Sequence, residues 1–138
     1  MIRLQNKLIS LRALEPRDIE LLFDLENDVE LWKYSNRNQP YSKDLLQNYI
    51  ANSHKDIFET RQIKFTISTM EDIAVGFIDL FDFEPLHHRA GVGLVIRKLD
   101  HRKGYGAAAL DLISNYARKH LQLHQLLSLI HISEPTRQ

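Results

Sequence analysis

A chain of 138 residues is enough for one domain, and its 43% hydrophobic content is ordinary for a globular protein with a buried core. Eighteen basic residues balance eighteen acidic ones, so no global field draws the chain to nucleic acid or to a membrane surface. The absence of cysteine excludes a disulfide framework, a thiolate nucleophile and a cysteine zinc site. No run reaches the roughly 20 apolar residues of a membrane span, and the opening MIRLQNK has no signal-peptide core, so a cytoplasmic protein is expected.

In chain order, Leu8 to Leu14 is short and apolar-rich and predicts a first strand. Pro16 suits the first turn of a helix, and Ile19, Leu22 and Phe23 make its stripe, widened by Leu21 and Leu25. That helix fades near Asn27 and Asp28. Val29 to Tyr41 is irregular and aromatic-rich; Trp32 and Tyr34 either line a substrate mouth or plug the core under a loop. Ser42 is the expected N-cap of a second helix with Leu45, Leu46, Tyr49 and Ile50 on its apolar face, running to about Phe58. The period then changes to two. Ile63 to Ser68 alternates as a half-buried strand, and Ile73 to Phe83 follows the polar turn Met70 to Asp72, with a break or bend expected at Gly76. A third strand, His87 to Ile96, completes an antiparallel meander. On a strand the neighbours His87 and His88 point to opposite faces, and no helical histidine pair brackets a glutamate, so no metal site is expected.

After Ile96 a charged turn leads into Gly104-Tyr105-Gly106 and an Ala-rich amphipathic helix to about His120. Its apolar face carries Tyr105, Ala109, Leu112, Ile113, Tyr116 and Ala117. A strand, a basic glycine turn and a helix N-terminus together suit a phosphorylated ligand. Small residues let backbone N–H groups approach, and the helix dipole favours an anion.

His101-Arg102-Lys103-Gly104-Tyr105-Gly106-Ala107 resembles motif A of the Gcn5-related N-acetyltransferase (GNAT) superfamily: Gln or Arg, two residues, Gly, one residue, then Gly or Ala. The element order also matches: strand, two helices, three antiparallel strands, glycine turn, helix, fifth strand. The resemblance implies an α/β (α+β) fold with a mixed, mostly antiparallel sheet. The stretch from Val75 to Leu80, with His88-Arg89 and Gly104-Tyr105, looks most like bacterial spermidine and diamine acetyltransferases. One position departs, since His101 stands where the family has Gln or Arg.

The resemblance implies acetyl-CoA as co-substrate and a primary amine as acceptor, a polyamine or small diamine. A protein N-terminus and a silent acyl-CoA-binding module remain as alternatives, with a homo-oligomer left open. His101, Arg102, Lys103, Gly104, Tyr105, Gly106 and Ala107 would hold the pyrophosphate, while Leu94, Val95 and Ile96 would pair with the pantetheine arm and donate an N–H to the thioester carbonyl. The acceptor ammonium must lose a proton, and Asp79, Asp82 and Glu84 are the candidate bases. Strict alternation puts Phe81 and Phe83 on the face of Asp79, and Asp82 with Glu84 on the other, so Asp82 and Glu84 are the expected catalytic carboxylates. Glu26, Asp28 and Glu30 would add to an acidic mouth, and His88-Arg89 would shape the acceptor side.

Leu127 to Arg137, LSLIHISEPTR, resembles the in-frame translation of a sequencing-library adaptor. The native domain is therefore expected to span 1–126, with 127–138 a read-through tail that extends, by accident, a strand begun at Leu123. On that reading the last helix and strands of the family domain are missing, with the Asn and Tyr they commonly carry. The chain is then expected to be impaired or inactive and to melt early, with an uncovered sheet edge.

Overall fold

The computed structural model describes residues 4–28, 40–123 and 125–130. The expectations for Trp32, Tyr34, Glu30 and residues 131–138 lie outside the described residues. The elements run β1 (Ile9–Ala13), α1 (Ile19–Glu26), α2 (Lys43–Ala51), a single-turn helix α3 (Ile57–Thr60), β2 (Ile63–Thr69), β3 (Ala74–Glu84), β4 (Arg89–Ile96), α4 (Tyr105–His120) and β5 (Gln125–Ile130). Sheet order follows chain order from β1 to β5. The first three ladders are antiparallel, whereas β4 and β5 are parallel because α4 carries the chain back before β5 begins. This is the expected mixed α+β sheet. Among the described residues no helix is long and apolar enough to cross a membrane.

The period-two strands divide the interior into two layers. Leu11, Ile67, Ile78, Leu80 and Val92 face α4, where Ala109, Ile113 and Ala117 let the helix lie close. On the opposite face Phe77 and Val95 pack under Leu22 and Leu25 of α1 and Leu46 and Ile50 of α2. Leu22, Leu25, Leu46, Ile50, Ala109, Leu112, Ile113 and Ala117 of the expected stripes are buried, whereas Leu45, expected on the apolar face of α2, is exposed. Ser42 caps α2 as expected, its hydroxyl accepting from the Leu45 N–H at 3.0 Å.

Four expectations need correction. The second helix ends at Ala51, not Phe58: the Asn52 amide donates to the Asn48 carbonyl and the Ser53 hydroxyl to that of Ile50, closing the helix locally. Asp56 then caps the separate turn α3, accepting from the Phe58 N–H at 2.9 Å. β3 is not broken at Gly76 but is bulged directly beside it. Ile67 opposes Gly76 while Ser68 opposes Ala74, which leaves Val75 as the extra residue of a bulge. Gly76 is needed for close approach, since a Cβ there would sit 2.2 Å from the Val95 carbonyl oxygen.

The third correction concerns strict alternation along β3. A second bulge lies between Phe81 and Glu84, and Asp82 has φ of +50°. Parity reverses there: Phe83 joins Leu80 and Ile78 in the core under α4 instead of sharing a face with Asp79. The Arg61 carbonyl accepts from the Phe83 N–H, and the Arg61 guanidinium donates to the Phe83 carbonyl, which fixes the displaced residue on both sides. Finally, β4 starts at Arg89. His87 ends a 3-10 turn and His88 takes a left-handed conformation at φ of +52°, so the adjacent histidines sit in a turn and not on a strand.

Candidate active site

Two features lie on or beside the α1 and α2 face of the sheet. The first is the turn between β4 and α4. Arg102 and Gly104 both have positive φ, +70° and +84°, and α4 starts at Tyr105 with no side chain capping it. The first-turn amides of Tyr105, Gly106 and Ala107 therefore point out of the helix end with its positive dipole, which is the donor set a pyrophosphate requires. His101 turns inward: its Nε2–H donates to the Ile96 carbonyl at 2.9 Å and ties the turn to the end of β4. The histidine thus supplies a side-chain donor at this position of the turn. Asp100 is buried beneath the turn, bonded to Arg97 and, at 3.2 Å, to the Lys103 ammonium. Burial raises its pKa, but the two cations outweigh that and hold its carboxyl below the usual range.

Leu94, Val95 and Ile96 are buried at the end of β4. The β4–β5 ladder runs from Arg89 opposite Gln125 to Leu94 opposite Ile130, so it passes unbroken through Leu126 and takes in Leu94. Val95 and Ile96 lie beyond it, paired with Phe77 and Gly76 on the β3 side.

The second feature is a cavity of about 360 Å³ between α1, α2 and the sheet, lined by Glu26, Tyr41, Tyr49, Gln62, Lys64 and Asp79 among others. Asn27 holds one wall: its side chain donates to the Tyr41 carbonyl at 2.9 Å and accepts the Tyr41 N–H at 2.7 Å. Lys64 on β2 and Asp79 on β3 are cross-strand partners, and Gly93 on β4 is opposite Asp79 on its other side. The Lys64 ammonium is 3.3 Å from Glu26 Oε2 and lies 5.8 Å and 5.9 Å from the ring centroids of Tyr49 and Phe77. Burial works against its charge, but Glu26 and Asp79 more than offset that and push its pKa above the ordinary lysine value. For Asp79 the balance goes the other way. Burial pushes the carboxyl up, Lys64 opposes, Glu26 adds to the rise, and the net shift is upward. Burial likewise raises Tyr49.

A larger cavity, about 650 Å³, opens near the C-terminal end of α2, with Gln47, His54 and Lys55 in its lining and no carboxylate there. It is electrostatically wrong for a cationic amine. Among the described residues, the smaller cavity is lined by two carboxylates, Glu26 and Asp79, and one ammonium, Lys64. It also lies near the glycine turn, because α1 ends with Glu26 in the cavity and is followed by Asp28, whose carboxylate is 4.0 Å from the Lys98 ammonium at the start of that turn.

Asp82 and Glu84 do not share a side facing this cavity. Asp82 is exposed on the bulge, and Glu84 is bonded at 2.8 Å to Arg89. Asp79, the other candidate, lines the cavity with Glu26. His88 bonds through Nδ1 to the Gln122 carbonyl at 3.2 Å, beyond the end of α4. Sequence reasoning missed Lys64. Its signal was a charged residue inside an alternating apolar strand, on the face shared with buried Thr66.

A family model described as acetyltransferase (GNAT) domain matches residues 9–136. The spermidine N(1)-acetyltransferase of Vibrio cholerae serotype O1 (strain ATCC 39315 / El Tor Inaba N16961) is 22% identical over 130 residues, covering 94% of this chain and 73% of that protein. The crystal structure of a Vibrio cholerae spermidine N-acetyltransferase in complex with CoA and spermine superposes with a TM-score of 0.76 at 22% identity, over 88% of this chain and 70% of that one. A GNAT-family acetyltransferase from Bacillus anthracis gives 0.72 at 21% identity, over 91% and 71% of the two chains.

Proposed function

The chain belongs to the GNAT acetyltransferase family, with acetyl-CoA as co-substrate, and from that premise we propose that it N-acetylates a polyamine or small diamine. The observation that carries the acceptor is the cavity under α1, where the carboxylates of Glu26 and Asp79 and the rings of Tyr41 and Tyr49 line one space, with Lys64 the one ammonium among its described lining residues. That complement suits a cationic amine. The similarity to spermidine N(1)-acetyltransferase favours the same acceptor class.

The residues of the glycine turn fit the donor. Amides of Tyr105, Gly106 and Ala107 would hold its pyrophosphate, with Arg102 adding charge at the turn and His101 fixing the turn to β4. Acetyl-CoA, when bound, supplies the acyl group as a thioester. The Asp79 carboxylate takes the proton from the acceptor ammonium, so that the nitrogen has a lone pair with which to attack. A carboxyl raised by burial is a better proton acceptor near neutral pH than an ordinary surface aspartate. Glu26 holds the remaining charge of the acceptor at the cavity rim.

The test is steady-state acetylation, followed by thiol release, with spermidine, a monoamine of matched length and a peptide bearing a free N-terminus. The expected order of kcat/KM is spermidine, then monoamine, then peptide. Turnover of the peptide alone would replace the polyamine reading with a protein N-terminal acetyltransferase.

A further inference from the structure

Lys64 has no place in the reaction as described, yet it lines the cavity, and the larger cavity beside it as well. It is held at 3.3 Å by Glu26 and lies opposite Asp79 in the β2–β3 register. Its ammonium also sits near the rings of Tyr49 and Phe77, an arrangement of aromatic and acidic groups that suits any ammonium. We propose that Lys64 is a positioning residue of the acceptor site: it supplies the fixed positive charge against which the Asp79 carboxylate works, and it bars a second cation of the acceptor from the cavity floor. The inference rests on the reading of Asp79 as proton acceptor.

The groups that face Asp79 can be named element by element. α1 presents Glu26, α2 presents Tyr49, and Tyr41 precedes α2; β2 presents Lys64, and the β4 neighbour is the uncharged Gly93. Among the described residues of this lining, Lys64 is the one cation. Its ammonium, fixed beside Glu26 and opposite Asp79, repels any second ammonium brought to the cavity floor. A polyamine would therefore enter end-on, its second charge left towards the rim. This explains why a lysine whose burial opposes its charge is kept on the inward face of β2.

The experiment compares the wild type with Lys64→Met and Lys64→Arg, recording kcat/KM against pH for spermidine and for a monoamine. For Lys64→Met the acid limb should move up by about one pH unit. KM for spermidine should fall about threefold as the cavity becomes more anionic, while kcat at neutral pH falls with the fraction of ionised Asp79. Lys64→Arg keeps the charge and should restore the wild-type limb. If Lys64→Met fails to fold, Lys64→Met with Glu26→Gln preserves the charge balance, and it should leave the limb near its wild-type position with KM raised. An unmoved limb and unchanged KM in folded Lys64→Met, with an active wild type, would overturn the inference alone. A wild type that turns over no amine would overturn the reading beneath it, and this inference with it.

Discussion

Asp18 and Asp79 both face the α1 and α2 side of the sheet, and each lies beside a cation from a neighbouring strand. Asp18 receives four donors: Arg12 Nη1 and Nη2 at 2.9 Å each, the Glu15 N–H at 2.8 Å and the Thr66 hydroxyl at 3.0 Å. Burial raises its pKa, but those donors outweigh burial and hold the carboxyl below its ordinary range. Lys64, by contrast, donates to Glu26 and acts on Asp79 only through its charge, so burial prevails and Asp79 is pushed up. The two regions show that burial and a nearby cation do not decide what an acid does. Directed donors do. A carboxylate saturated by hydrogen bonds is committed to the fold, whereas one restrained mainly by charge keeps a proton affinity that chemistry can use.

The widest separation between the regions should come from Asp79→Asn. Loss of the proton acceptor should lower kcat by about 10²- to 10⁴-fold, while the melting curve moves little. A variant that retains near-wild-type kcat would remove Asp79 from the reaction and erase the contrast. Asp18→Ala should do the reverse. It leaves Arg12 facing the protein interior without its main partner, and Arg12 Nε already has no hydrogen-bond acceptor. Breaking such a pair costs about 3–5 kcal/mol, visible in the denaturant midpoint, with activity per folded molecule retained.

The pH dependence of stability carries opposite signs in the two regions. Asp18, with its lowered folded pKa, contributes stability that is complete above the unfolded value near 4 and is lost as pH falls through the folded pKa. Asp79, with its raised pKa, is easier to bury once protonated, so acid relieves part of its cost. Denaturant melts across pH 3 to 6 should show Asp18→Asn with a flatter acid limb than the wild type and Asp79→Asn with a steeper one. Matching slopes would mean the carboxylates do not differ as described.

The smallest effect belongs to the backbone of the glycine turn at Gly104. A Cβ on Gly104 would meet nothing closer than Leu8 Cδ2 at 3.7 Å, so Gly104→Ala is opposed by its φ of +84° and not by a clash. It should cost about 1 kcal/mol in stability and, if the turn relaxes, weaken CoA binding measured by calorimetry. Unchanged CoA affinity would mean that the turn does not set the donor site.

Much of this fold was legible because it depends on local patterns. The alternation of Ile63 to Ser68, the Ser42 cap and the glycine pattern at residues 101–107 each have a short-range physical cause. The bulges at Val75 and Asp82 were not legible, since an extra residue in a strand is defined only against its partner strand. That omission is why Asp82 and Glu84 were expected to share a face that the bulge denies them. Once Phe83 switches sides, parity counted from Asp79 says nothing about Asp82 or Glu84.

What the sequence determined by itself was the order of elements, the donor turn and the family they belong to, because hydrophobic period and glycine placement act within a few residues. What only the tertiary structure decided was the cavity proposed for the acceptor. Glu26, Lys64 and Asp79 lie on three separate elements, and Coulombic coupling among them depends on distances set by strand register and by the seating of α1. Even the donor turn gained a residue role this way: His101 reads as a departure in the motif, and its bond to the Ile96 carbonyl makes it the tie between strand and turn.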